Sequence, residues 1–360
     1  MICAARVQGK PPRERRRVDP AGADHRHPPG CRSRLAFIRR GGTGPRAYAK
    51  LAPARAHEVP NVSTKGIEPQ RSGTRSVQRA VRHYVAAAER SLARAHRSDV
   101  AVHDARQALK KSRAALRLLR PALGRRIYRR ENARLREAAH SLTLARDLKA
   151  LVQTLDSLRR REPALGRDAS VAQVSRQLHA QRRSLRRQMQ QSPAALTAAR
   201  AGLHRTRRGA HRWHVGQHGW SILGPAVERI YRVGRRRLRA ARASAADSAL
   251  HDWRKQVKYL CHALQMLEPM GPAEIGAAVQ QAHTLSKQLG ELHDLSLLAQ
   301  RARALGGPRT PGSTALLAAC GRRAAPLAQR TLALGQRLYR LPPRTLRRQL
   351  GGYWRRWRQG

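Results

Sequence analysis

Across residues 74–345 apolar side chains return every three or four positions. They lie in long stretches of Ala, Leu, Arg and Gln, punctuated by Pro121, Gly124, Pro163, Pro193, Gly224, Pro269, Gly306 and Pro342. This spacing predicts helices with breaks at the punctuating residues. Strand signals are nearly missing: the chain has one Phe, few β-branched runs and no alternating hairpin pattern. The fold class is therefore all-α. Ahead of this region, Pro and Gly recur every few positions and no period survives more than one turn. Residues 1–73 are expected to form a disordered basic segment, because so little apolar surface cannot offset the entropy of ordering. Met1 is the only Met before Met189, so a start further along, near Val62, is also an expectation.

One predicted helix has an unusual face. In "VHDARQALKKSRAALRLLRP" (102–121), steps of three and four residues from His103 meet Arg106, Lys110, Arg113, Arg117 and Arg120. The adjoining stripe is Val102, Ala105, Leu109, Ser112, Leu116 and Leu119. A solvated polar face usually mixes signs, because opposite charges at i,i+4 stabilise a helix by roughly 0.2–0.5 kcal/mol and like charges cost about as much. No acid offsets this stripe. An anion would neutralise it, and successive rungs about 5 Å apart suit an extended chain of phosphates. Arg offers phosphate oxygens a planar fork and Lys a mobile point charge. His103, and His251 below, would be pH-sensitive contributors, since a facing anion raises an imidazole pKa.

The segment occurs twice. In "LHDWRKQVKYLCHALQMLEP" (250–269), His251, Arg254 and Lys258 each stand 148 residues after His103, Arg106 and Lys110. The apolar stripe Leu250, Trp253, Val257, Leu260, Leu264 and Leu267 matches position for position, as does Pro269 with Pro121. Asp147 in "LARDL" and Asp294 in "ELHDL" follow at matching distances, and Tyr84 and Tyr231 precede at matching distances. Such register predicts two copies of one helical unit, repeat one over 74–205 and repeat two over 222–345. The expected linker is 206–221, and 346–360 is expected to be a basic C-terminal tail. The copies differ: Cys261, Gln265 and Glu268 replace Arg113, Arg117 and Arg120, while Lys255 adds a charge on an adjacent line.

Charge narrows the partners. With 75 Lys+Arg against 21 Asp+Glu the formal net charge is +54, which favours a polyanion. Aligned rather than scattered arginines argue against a mere compositional bias. The four cysteines show no C-x-x-C spacing, so neither a zinc site nor a disulfide framework is indicated, and a cytoplasmic setting fits. No apolar run reaches the length of a membrane span, so membrane insertion is not expected. Three His-Asp pairs, at 103–104, 251–252 and 293–294, invite a metal-dependent phosphohydrolase of the HD type. The first two sit one turn before Arg and Lys, however, and cations repel a divalent metal. Asp104 and Asp252 read better as groups suited to a helix N-terminus. Phosphate-binding loops and protease motifs are likewise missing from the sequence, which points to no enzyme and no cofactor. Nucleic-acid binding is the stronger rival; charge supports it, but aromatics make up only 4% and offer no stacking platform.

Together the two segments, with "LARDLKALV" and "LGELHDLSLLA" closing each half, resemble the CHAD domain family over roughly residues 74–345. The resemblance implies two helical bundles of about four helices each, related by a pseudo-twofold around a basic groove. It also implies binding of inorganic polyphosphate and association with polyphosphate granules. The family's basic positions fall on His103, Arg106, Lys110, Lys111, Arg113 and Arg117 in the first half, with Arg232, Arg235 and Arg236 after Tyr231. In the second half they fall on His251, Arg254, Lys255 and Lys258. The chain departs from the family pattern at Cys261 and His262, where an aromatic pair or Arg-Tyr is more usual. No segment resembles the triphosphate-cleaving CYTH domain.

Overall fold

In the computed structural model, residues 65–216, 218–244, 246–306 and 311–359 are described, and among them there is no strand. Twelve α-helices follow in order: α1 Gly73–Leu92, α2 Asp99–Leu118, α3 Arg120–His140, α4 Thr143–Arg161, α5 Pro163–Arg167, α6 Ala169–Gln191, α7 Ala194–His211, α8 Trp220–Ser244, α9 Asp247–Leu267, α10 Ala273–Gly306, α11 Pro311–Leu338 and α12 Pro343–Gln359.

Their starts are written in the sequence. The Ser72 hydroxyl accepts from Arg75 N to cap α1, and Ser98 accepts from Ala101 N to cap α2, whose first turn also carries Asp99. The Asp168 carboxylate takes the Ser170 and Val171 N–H groups at the head of α6. Each satisfies donors that a helix end leaves unpaired. Pro121, Pro163, Pro269 and Pro342 all fall at or beside helix boundaries. Gly124 breaks the start of α3 with φ +71, a left-handed conformation that glycine adopts without a Cβ clash. Gly224 does not break its helix. It lies inside α8 beneath the Trp220 ring, where a Cβ would come 2.8 Å from the indole.

The two predicted apolar stripes form the centre of the core. On α2, Val102, Ala105, Leu109, Ser112, Leu116 and Leu119 are all buried. On α9 the same holds for Trp253, Val257, Leu260, Leu264 and Leu267, while Leu250 is half-buried. Helix α1 packs on α2, α8 on α9, and α2 on α9; α4 packs on α10. The two Tyr markers do equivalent work. Tyr84 accepts from Lys65 N at 2.8 Å, and the Tyr231 hydroxyl lies 3.2 Å from the carbonyls of Leu338 and Leu341. Each ties a connecting segment to a buried helix.

The boundaries differ from expectation at three places. The expected disorder of residues 1–64 falls outside the described residues. Residues 65–72 instead join the fold: Ile67 is buried and its N–H donates to Met266 O at 3.0 Å. The expected linker begins inside α7, because the buried Thr206 hydroxyl donates to the equally buried Glu131 at 2.8 Å. The expected tail 346–360 is most of α12. Leu350 and Trp354 are buried, and Trp354 stacks on Trp220 at 6.1 Å and closes against Gly73 and Gly219.

Losing that indole removes a large buried surface and leaves a cavity, so Trp354→Ala should destabilise the protein by about 3–5 kcal/mol in urea unfolding. A dispensable tail would leave the midpoint unchanged.

Candidate anion-binding cavity

Helices α2, α4, α9 and α10 line a half-open cavity of about 520 Å³. Helix α2 contributes His103, Gln107 and Lys110, and α9 contributes Arg254, Lys258, Cys261 and His262. Helix α4 brings Arg146 and a neutral polar wall of Gln153, Thr154 and Ser157; α10 brings Lys287, Glu291 and Asp294. The helical period explains the convergence. Lys110 and Lys258 each lie one residue C-terminal to a core position, on the flank of a packed helix, so both are half-buried and turn toward the cavity.

Cations outnumber acids at the inner end. Arg106, Lys110, Arg146, Arg254 and Lys258 influence one another there, with only Asp147 and Asp294 opposing them. Arg146 serves both acids: its Nη1 lies 3.0 Å from Asp147 Oδ1, and its Nη2 lies 2.9 Å from Asp294 Oδ1. Arg106 stands just behind the cavity wall, donating to Ala139 O at 3.1 Å and held near Thr143 Oγ1 at 3.4 Å. The Nε–H groups of Arg106 and Arg254 are buried without an acceptor in the chain.

Burial and like charge together depress the basic groups. Burial, then Arg106, Arg254 and Arg146, bring Lys110 down to about 7, with Asp294 opposing. Lys258 is lowered well below its usual value by burial and then by Lys110, Arg254, Arg146 and Arg106. Arg254 falls to about 10 for the same reasons, burial first. The imidazoles follow: His293 drops to about 3 and His262 to about 4, both chiefly through burial. His103 and His251 also move down, again chiefly through burial. In the chain alone desolvation and neighbouring cations thus lower both stripe histidines, whereas the expected rise concerns a facing phosphate.

The CHAD domain profile matches residues 75–303, more than half of the chain. The chain belongs to the CHAD domain family. Among solved structures it is similar to the CHAD domain from the plant Ricinus communis, at 15% identity and a TM-score of 0.53, covering 79% of this chain and 97% of that one. It is also similar to PptA from Streptomyces chartreusis, at 14% identity and a TM-score of 0.46, over 74% of this chain and 99% of that one. Comparison with curated proteins gave no match.

The CHAD positions carried over from sequence do not all meet in one place. His103, Lys110, Arg254 and Lys258 line the cavity, with Arg106 behind its wall. His251 packs against His293, their rings 4.7 Å apart. Arg113 and Arg117 climb away along α2, where Arg117 lies over the Tyr259 ring at 3.5 Å and both reach toward Asn132. Lys111 turns about 100° from Lys110 and is buried near the Tyr84 ring, outside the cavity lining. Lys255 pairs with Asp252 at 3.0 Å in an exposed position. Arg232 pairs with Glu228, and with Arg235, Arg236 and Arg239 it faces Pro343 on another side of α8. Adjacency in sequence groups these residues; the helical twist separates them. Conversely, Arg146, His262, His293 and Asp294 belong to the cavity region although none is among the basic positions carried over from the family. The signal was present, since Asp147 and Asp294 already marked the repeat and Arg146 and His293 immediately precede them.

These shifts set the pH dependence of stability. Where the unfolded chain binds protons that the fold does not, stability rises with pH. His262 and His293 meet that condition from about pH 4 to 6.5, and Lys110 from about pH 7 upward. The thermal midpoint in the absence of polyanion should therefore rise from pH 5 to pH 8.5, and Lys110→Met should flatten the segment above pH 7. The opposite pull of Cys261 and Cys320, whose thiols are raised to about 11, begins only above that range. Thermal scans at fixed ionic strength check the slope.

Proposed function

We propose that this protein binds inorganic polyphosphate in the cavity between α2, α4, α9 and α10, without turning it over, and associates in the cytoplasm with polyphosphate granules. The observation that carries this reading is the convergence of Lys110, Lys258 and Arg254 on one half-open cavity where acids are too few to balance them. Charges held this way destabilise the unliganded fold, and a phosphate chain would supply both the missing negative charge and acceptors for the buried N–H groups. Family membership supports it. A linear polyphosphate fits better than a compact anion because Arg113 and Arg117 continue the cationic line along α2 beyond the cavity. The alternative of an HD-type phosphohydrolase has less support, since the imidazoles of His251 and His293 lie among Arg254, Lys255 and Lys258, which would repel a divalent cation.

This reading carries an unusual signature. Replacing Lys110 and Lys258 together with Met should weaken polyphosphate binding by about 10²–10⁴-fold, at roughly 1.5–3 kcal/mol per charge-assisted hydrogen bond, yet raise the thermal midpoint of the unliganded protein. Calorimetric titration with a defined-length polyphosphate, paired with thermal scans, measures both. A variant that binds like the parent would place the ligand elsewhere. Affinity for the parent should also fall linearly on a log–log plot against salt, through counterion release.

A further inference from the structure

Helix α6 packs on α4, α10 and α11 through its first half, and its C-terminal half, up to the start of α7, stands clear of the core. Between Leu178 on α6 and Leu196 on α7 no residue is buried; only Leu185 and Met189 rest partly against the core. This arm lies within a long acid-free stretch of the protein. From Ala169 to Val227 there is not one Asp or Glu, but there are ten Arg residues. Five α6 side chains, His179, Arg182, Arg183, Arg186 and Arg187, define a shallow open depression on one face of the helix. Arg182 and Arg186 are held by Asp99 at the head of α2. Arg183 and Arg187, one turn apart, are exposed and make no ion pair among the described residues. Asp99 thus fixes the inner row of guanidinium groups and leaves the outer row facing solvent.

We propose that the α6 arm is a second binding surface, separate from the cavity, and that it takes the phosphate backbone of duplex nucleic acid. The partner follows from three features. The face is shallow and open along one helix, so it can lie along a stiff rod, whereas the deeper cavity between four helices suits a thin flexible chain. A helix of 23 residues offers a straight edge about 34 Å long at 1.5 Å per residue. Exposed Ser184, Gln188 and Gln190 flank the arginines, giving neutral hydrogen-bonding groups that can reach sugar and base edges once the arginines have engaged phosphates. Single strands are disfavoured, because they are gripped mainly by stacking on aromatic rings, and no aromatic residue occurs between Tyr128 and Trp213. The proposal does not depend on polyphosphate binding in the cavity.

The test uses the full-length protein and fluorescence anisotropy with a labelled 24-base-pair DNA duplex, the matching single strand and a labelled polyphosphate. Arg183→Glu/Arg187→Glu should weaken duplex binding at least tenfold and lower the log–log salt slope by about 2, the loss of two phosphate contacts. Polyphosphate affinity should stay as in the parent, and Lys110→Met/Lys258→Met should leave duplex binding intact. Both arginines are exposed, so an unchanged thermal midpoint confirms that the variant folds; Arg183→Gln/Arg187→Gln, which removes charge without reversing it, should show a smaller loss in the same direction. Duplex binding that survives the Glu variant overturns the proposal. So does an equal loss of polyphosphate binding, which would make the arm an extension of the cavity site, or a single strand bound as tightly as the duplex.

Discussion

Everything distinctive in this protein depends on the burial of like charges between α2 and α9. A helix pair that packs through Leu109, Leu116, Trp253 and Leu260 also leaves Lys110, Arg254 and Lys258 half-buried side by side on its flank. Desolvation and mutual repulsion both act against the charged forms, which is why the lysines and the neighbouring imidazoles are depressed together. Asp147 and Asp294 hold Arg146 in place but leave the balance positive. The surrounding core must therefore supply the stability that this cavity subtracts.

The repeat gives the site two unlike halves. Lys110 and Lys258 occupy equivalent positions and both line the cavity. Beyond them the halves part: the first continues with Arg113 and Arg117 over Tyr259, the second with Cys261 and with His262, whose Nδ1 lies 2.9 Å from Gln265. The first half thus continues the cationic line beyond the cavity, and the second does not.

Much of the fold was legible because periodicity and punctuation agreed. The α2 and α9 stripes, the Ser and Asp caps and the proline boundaries all belong to local patterns. What escaped depended on contacts distant in sequence. Residues 346–360 were read as a tail because their arginines dominate, yet Leu346, Leu350, Tyr353, Trp354 and Trp357 already had helical spacing; their partner, Trp220, lies in a segment read as linker. Within the site, the stripe identified His103, Lys110, Arg254 and Lys258 because one helix face turns one way. Lys111, Lys255 and Arg232 come into the site only from the family resemblance; the 100° step between residues turns Lys111 and Lys255 away from the stripe, and Arg232 lies on α8. Arg146 and Asp294 form a pair across the two halves, and no pattern within either half announces such a contact.

The central claim is that the cavity lacks a counter-anion and takes one up as phosphate. It is tested most directly by the protons that accompany binding. A ligand that restores charge to Lys110 must draw protons from solution above pH 7, where that lysine is partly neutral, and Lys258 is shifted in the same direction. Calorimetric titration with polyphosphate at pH 8, in buffers of different ionisation enthalpy, should reveal an uptake of about one proton or more per chain, abolished in Lys110→Met/Lys258→Met. Binding at pH 8 with no proton uptake would contradict the account.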